Sequence, residues 1–200
     1  MGKRGITLVD MIRHGEPVGG RRYRGRIDDP LSENGWQQMW TAVGDHAPWQ
    51  HIITSPLSRC RDFAIALGTR QGIPVADDPR LMEIGFGVWE GRAPDELQRH
   101  DPDILNRFFN DPVTYRPEGA EPLDQFVGRV REAWYELLDI HAGKHLLLVA
   151  HAGIIRAVIS EVLEIPARNI FRIKVTNAGV SRIRINPARP PTLVFHHGRF

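Results

Sequence analysis

Residues 146–150 read LLLVA, five apolar side chains in succession with no polar face to turn toward water. The run is too short for a buried helix of ordinary length, and a half-exposed strand would alternate. It suits a strand covered by helices on both sides, as in a parallel sheet. ITLVDMI at 6–12 and HIIT at 51–54 give two further strand signals, and KVTNAGVSRIRI at 174–185 and TLVF at 192–195 close the chain. The last pair, joined by a short loop, is expected to add an antiparallel edge. The reading is an α/β fold, a three-layer α/β/α sandwich with a mostly parallel sheet.

Helical periods lie between these strands. Trp36, Met39, Trp40 and Val43 follow i, i+3, i+4, i+7 behind a Ser32 cap, and Cys60, Phe63, Ala64 and Leu67 repeat the spacing. Longer helical patterns cover about 121–141, with Leu123, Phe126, Val127, Val130, Trp134 and Leu137 inward, and about 153–163. Residues 77–120, rich in Pro and Gly, are expected to form an excursion over one end of the sheet. No repeat or linker divides the chain, so 1–200 is expected to be one domain.

Composition excludes several classes of function. No stretch approaches the roughly 20 apolar residues of a membrane span. Lys and Arg number 26 against 24 Asp and Glu. That near balance leaves RRYRGR at 21–26 as the densest basic cluster, and it lacks the interleaved aromatics of a nucleic-acid stacking platform. The single cysteine, Cys60, precludes an internal disulfide and a cysteine zinc cage. With no secretory pattern at the N-terminus, and with Ile6 in place of the Ser or Thr that would make Gly2 an acylation site, the expected location is the cytoplasm.

Three strands end alike. LVDMI runs into Arg13, His14 and Gly15; HIIT into Ser55, Pro56 and, a turn later, Arg59; LLLVA into His151, Ala152 and Gly153. Ligands of open parallel sheets bind beyond the carboxyl ends of the strands, so these loops should converge. Ser55 and Pro56 read as the N-cap and first residue of the next helix, whose free N–H groups favour an anion. Arg13 and Arg59 can fork onto phosphate oxygens. Beside such a phosphate, a neutral imidazole can attack phosphorus while a second, protonated one stabilises the transferring oxygens. The leaving alkoxide needs an acid. Glu83, in the glycine-rich LMEIGFGVWEG, is the best candidate, although spacing leaves this open.

RHGEP (13–17), SPLSR (55–59), LMEIGFGVWEG (81–91), PEGAEPLDQF (117–126) and VAHAGIIRA (149–157) together resemble, in order and across nearly the whole chain, the motifs of the histidine phosphatase superfamily, the phosphoglycerate mutase-like family. The resemblance implies that His14 becomes a phosphohistidine, that Arg13, Arg59 and His151 complete a phosphate pocket, and that Glu83 protonates the leaving group and then activates water. It implies no metal and no cofactor, and paired arginines would repel a divalent cation.

Arg24 and Arg26, just beyond the nucleophile loop, Gly153 and Glu121 are further candidates for substrate contact. Glu16 is a candidate orienting group, and Asp10 inside the first strand has no assigned role. The family's Asn a few residues after RHGE is absent, replaced by Pro17, Gly19 and Gly20. The expected activity is hydrolysis of a small phosphorylated metabolite, with mutase-type phosphoryl transfer and a non-catalytic phosphate-binding module as alternatives. RHGEP followed by a basic loop and DDPLSENG is similar to alpha-ribazole phosphatases.

Overall fold

A computed structural model describes residues 5–198. Met1 and Gly2, weighed above for acylation, lie outside that range. The order of elements is β1 (Thr7–Arg13), α1 (Glu33–Val43), β2 (His51–Thr54), α2 (Ser58–Gln71), β3 (Val75–Asp77), α3 (Pro94–His100), α4 (Ile104–Asn110), α5 (Leu123–Ile140), β4 (His145–Ala150), α6 (Ala152–Val162), β5 (Val180–Asn186) and β6 (Arg189–Gly198), with short 3-10 turns at 79–81, 87–89 and 167–172.

The six strands form one sheet in the order β3-β2-β4-β1-β5-β6. The first four are parallel, and β5 and β6 are antiparallel at one edge. β4 sits between β2 and β1, and its residues divide by parity as a doubly covered strand requires. Leu146, Leu148 and Ala150 pack with α5 and α6, whereas Leu147 and Val149 pack with α1 and α2. The apolar stripes behave accordingly: Met39, Val43, Phe63, Ala64 and Leu67 are buried on one face, and Phe126, Val130, Trp134 and Leu137 on the other. Among the described residues no helix is long and apolar enough to cross a membrane.

Three local readings need correction, and one short strand went unread. Ser55 and Pro56 do not open α2. Leu57 occupies the cap position and the helix starts at Ser58, whose N–H and Oγ both donate to the Asp28 carboxylate at 2.7 and 2.8 Å. The anion at this helix end is therefore supplied by the chain itself. Residues 174–179 are not strand, because they turn against the end of β1 and satisfy its backbone. Gly179 O accepts from Arg13 N at 3.1 Å, and Ala178 N donates to His14 O at 3.3 Å. β6 extends beyond TLVF through Pro190 and Pro191, which an edge strand tolerates because one row of its N–H groups needs no partner. β3 is too short to show a period, and pairing with β2 defines it.

Asp10 also acquires an explanation. It is fully buried on the α1 and α2 side of β1, where its carboxylate accepts from Arg182 Nε (2.6 Å) and Nη2 (2.9 Å), Trp49 Nε1 (2.8 Å) and His145 Nε2 (2.8 Å). Burial alone would raise its pKa, but these donors, Arg182 foremost, hold it below the ordinary aspartate value.

Candidate active site

The register of the two central strands places the histidines. Arg13 on β1 pairs with Ala150 on β4, so the next residue on each strand, His14 and His151, leaves the sheet from neighbouring positions. His14 N donates to Ala150 O at 2.9 Å, and the ring centroids lie 5.2 Å apart at 63°. His14 is 5% exposed and His151 is fully buried.

His14 Nδ1 lies 2.7 Å from the Gly15 carbonyl oxygen. A carbonyl can only accept, so Nδ1 carries the hydrogen and the neutral ring keeps its lone pair on Nε2. Burial, followed by the charges of Arg13 and Arg59, pushes the His14 pKa well below the ordinary imidazole range. Burial and Arg59 do the same to His151. The protonated second imidazole expected from the sequence is therefore not the form this environment favours, although a bound dianion would act in the opposite direction on both rings. His151 Nε2 meets Ser55 Oγ at 2.8 Å, which gives the serine at the end of β2 a role in orienting this ring.

Arg13 and Arg59 line the same cavity as His14 and Glu83. Arg59 is 1% exposed and donates Nη1 to Ile27 O (2.7 Å) and Nη2 to Gly25 O (3.0 Å). Arg13 donates Nη1 to Val175 O at 2.8 Å, and burial pulls its pKa down to about 10. The Nε atoms of both arginines are buried and have no hydrogen-bond partner among the described residues. What suits this cavity to an anionic ligand is the pair of guanidinium charges in its wall, since the two Nε atoms themselves are sealed off from it.

Glu83 is held from both sides: Ile84 N donates to Oε1 at 3.0 Å and Gly153 N to Oε2 at 3.1 Å. The Gly153 N–H, considered above as a phosphate donor, thus serves the carboxylate. Gly153 is required here, since a Cβ at this position would lie 2.2 Å from Glu83 Oε1. Gly15 has an equally specific reason. A Cβ there would meet Gly35 O at 2.2 Å, and one on Gly35 would meet Glu16 O at 2.1 Å, so two glycines let the first turn of α1 touch the loop that follows His14.

The other candidates divide. Arg24 is buried in the cavity wall, but its guanidinium bonds Asp29 Oδ2 (2.9 Å), Val18 O (2.6 Å) and Gly20 O (2.8 Å), tying together the stretch in which the family's Asn is missing. Glu16 lines the cavity and accepts from Asn34 Nδ2 at 3.0 Å. Arg26 and Glu121 do not line it. Arg26 Nη2 donates to Glu121 Oε2 at 3.5 Å, and Glu121 is bridged by Arg129 Nε (2.6 Å) and Nη2 (2.8 Å). Among the described residues no three His, Cys, Asp or Glu side chains stand together as a metal-binding group.

Several contributors went unnoticed in the sequence. Glu90 accepts from the backbone N–H groups of Arg26, Ile27 and Phe86, which fixes the basic loop against the segment carrying Glu83. Tyr23, Phe86, Phe108, Phe109, Phe171 and Arg156 line a cavity of about 570 Å³ beside the histidines. The signal for Arg156 was available: it is the one charged residue in the apolar run AGIIRAVI that follows His151.

With this geometry in view, the sequence profile of the histidine phosphatase superfamily (branch 1) matches residues 9–196. The chain belongs to that superfamily. Among its relatives, the probable phosphoglycerate mutase GpmB of Klebsiella pneumoniae is 32% identical over 183 residues, covering 89% of this chain and 85% of that protein. The fold is shared with mycobacterial glucosyl-3-phosphoglycerate phosphatase (TM-score 0.80, 28% identity, 90% of each chain). It is also shared with the alpha-ribazole phosphatase of Shigella flexneri (TM-score 0.81, 27% identity, 96% of each chain). The phosphoglycerate mutase-like resemblance and the α/β architecture are thus both upheld within the superfamily.

Proposed function

We propose that this histidine phosphatase superfamily member hydrolyses a small phosphomonoester in two steps. His14 Nε2 attacks phosphorus, the P–O bond to the organic group breaks, and Glu83 donates a proton to the departing alkoxide. Water then attacks the phosphohistidine, Glu83 takes its proton, and inorganic phosphate leaves with His14 restored to the neutral form. Arg13, Arg59 and His151 hold the phosphoryl oxygens, and no metal enters either step. Arg24 holds the loop forming one wall and is the second candidate for substrate contact. Arg26, Glu121 and Gly153 act through the groups they position: Arg26 and Glu121 on the adjoining loop, Gly153 on Glu83.

The observation that carries this reading is the neutral His14 ring, its Nε2 lone pair fixed by Gly15, in one cavity with the guanidiniums of Arg13 and Arg59. The mycobacterial phosphatase related in fold has been seen with inorganic phosphate, which supports the same ligand here. His14→Ala should abolish turnover of an aryl phosphate and the acid-labile phosphoenzyme; retained turnover would refute the assignment.

The likeness to GpmB favours a second reading, return of the phosphoryl group to another hydroxyl. With 3-phosphoglycerate, isomerisation faster than phosphate release would establish it. Alpha-ribazole 5′-phosphate belongs in the substrate panel because of the Shigella likeness. The proposal includes a single domain over residues 1–200, supported by the one continuous sheet, and a reducing, cytoplasmic setting, supported by Cys60 as a buried free thiol.

A further inference from the structure

The cavity that holds the phosphate site also carries an aromatic wall, with Arg156 near enough to Arg13 and Glu83 for their charges to act on one another. Phe108 packs on Phe171 at 5.0 Å and on Phe109 at 5.3 Å between ring centroids, and Tyr23 packs on Phe86 at 5.0 Å. All five rings line the cavity, and Phe109 remains 46% exposed. Such a wall suits a flat apolar group on the organic part of the substrate.

Arg156 stands among these rings. Its guanidinium carbon lies 5.6 Å from the Phe171 centroid, and Nε donates to Ile173 O at 2.8 Å. Its Nη groups have no hydrogen-bond partner and no carboxylate at ion-pair distance among the described residues, yet they are not sealed from solvent. A half-buried guanidinium with donors open to a cavity calls for an acceptor from outside the protein. The charge balance favours an anionic one. Arg13, Arg21, Arg22, Arg24, Arg59 and Arg156 line the cavity against Glu16 and Glu83, an excess larger than one phosphate dianion neutralises.

Building on the phosphatase reading, we propose that the preferred substrate is a phosphomonoester whose organic part is an aromatic ring bearing a carboxylate, the ring lying on the Phe108–Phe171 wall and the carboxylate meeting Arg156. This chemistry differs from that of a neutral nucleoside phosphate such as alpha-ribazole 5′-phosphate. The test compares inhibition constants of non-hydrolysable phosphonates, which removes leaving-group effects. Benzylphosphonate should bind about tenfold more tightly than methylphosphonate, and 4-carboxybenzylphosphonate about tenfold more tightly again, in line with a charge-assisted hydrogen bond. Arg156→Met, which keeps an apolar stem against Phe171, should abolish the carboxylate gain, and Arg156→Lys should keep part of it. Equal binding of the two benzyl compounds to the wild-type protein, or a carboxylate gain that survives in Arg156→Met, overturns the proposal. If inorganic phosphate and every phosphonate fail to bind, the phosphate pocket itself is wrong, a result separable from failure of the carboxylate arm alone.

Discussion

Replacing Gly153 with Ala tests the assignment of Glu83 without touching the glutamate. The new methyl would sit 2.2 Å from Glu83 Oε1 and 3.2 Å from its Cδ, whereas ordinary contact begins near 3.4 Å. The helix is the stiffer partner: Gly153 is the second residue of α6, and its neighbours are buried. The carboxylate, at the far end of a flexible side chain, must therefore retreat by about 1 Å or more. Misplacing a reacting group by that distance costs on the order of 10²-fold in rate, or about 2.7 kcal/mol of barrier. The loss should grow with the pKa of the leaving alcohol, because poor leaving groups depend most on the acid. Inhibition by inorganic phosphate should change little, since Arg13 and Arg59 are undisturbed. Stability should change little, because the helix preference of Ala, up to about 1 kcal/mol, is set against the 3.1 Å approach of the methyl to the buried Phe126 Cζ. The assay is kcat/KM over a series of aryl and alkyl phosphates beside a thermal melt. An unchanged rate, or a loss uniform across leaving groups with a lowered melting temperature, would refute the placement of Glu83 as proton donor.

Four further outcomes follow from other contacts in the molecule. Asp10→Ala strands Arg182, Trp49 and His145 and should cost on the order of 3 kcal/mol in denaturant unfolding; a loss below about 1 kcal/mol would show the network to be dispensable. The depressed Asp10 pKa makes the wild-type contribution full above the unfolded value of 3.8 and lost as pH falls through the folded value, so Asp10→Asn should flatten this acid decline. Gly35→Ala forces backbone on backbone beside the nucleophile loop and should reduce both stability and kcat, while Gly44→Ala, with no atom within 4 Å of its Cβ, should cost only the strain of its positive φ. Equal effects in the two variants would remove the close approach as an explanation. Because His14 and His151 are held below the ordinary imidazole range, the unfolded chain binds more protons near pH 6, and stability should decline as pH drops below about 6.5. An NMR titration finding His14 protonated at pH 6 in the free protein would contradict this.

The gathering of the candidate side chains was legible where it follows strand ends. Arg13, His14, Arg59 and His151 needed only the rule that parallel strands present their carboxyl ends to ligands, and the double-sided apolarity of β4 established the layers. What escaped was decided by contacts distant in sequence. Gly15 was visible only as the residue after His14, and the close approach that requires it is to Gly35. Ser55 looked like a helix cap because Pro follows it, whereas its hydroxyl is taken by His151, 96 positions away. Asp10 is intelligible only with Trp49, His145 and Arg182 assembled around it. Arg156 drew no reading of its own, and its place became clear only with the 3-10 turn bearing Phe171 beside it.

The separation of the two imidazoles is inherited from a ladder spacing of roughly 4.8 Å between neighbouring strands, not from any loop. The pair proposed to handle phosphorus is in effect mounted on two adjacent central strands of the sheet. The surrounding turns can therefore be lengthened, recharged or exchanged without retuning the reaction centre, and new specificities can be reached on this frame by altering its walls alone.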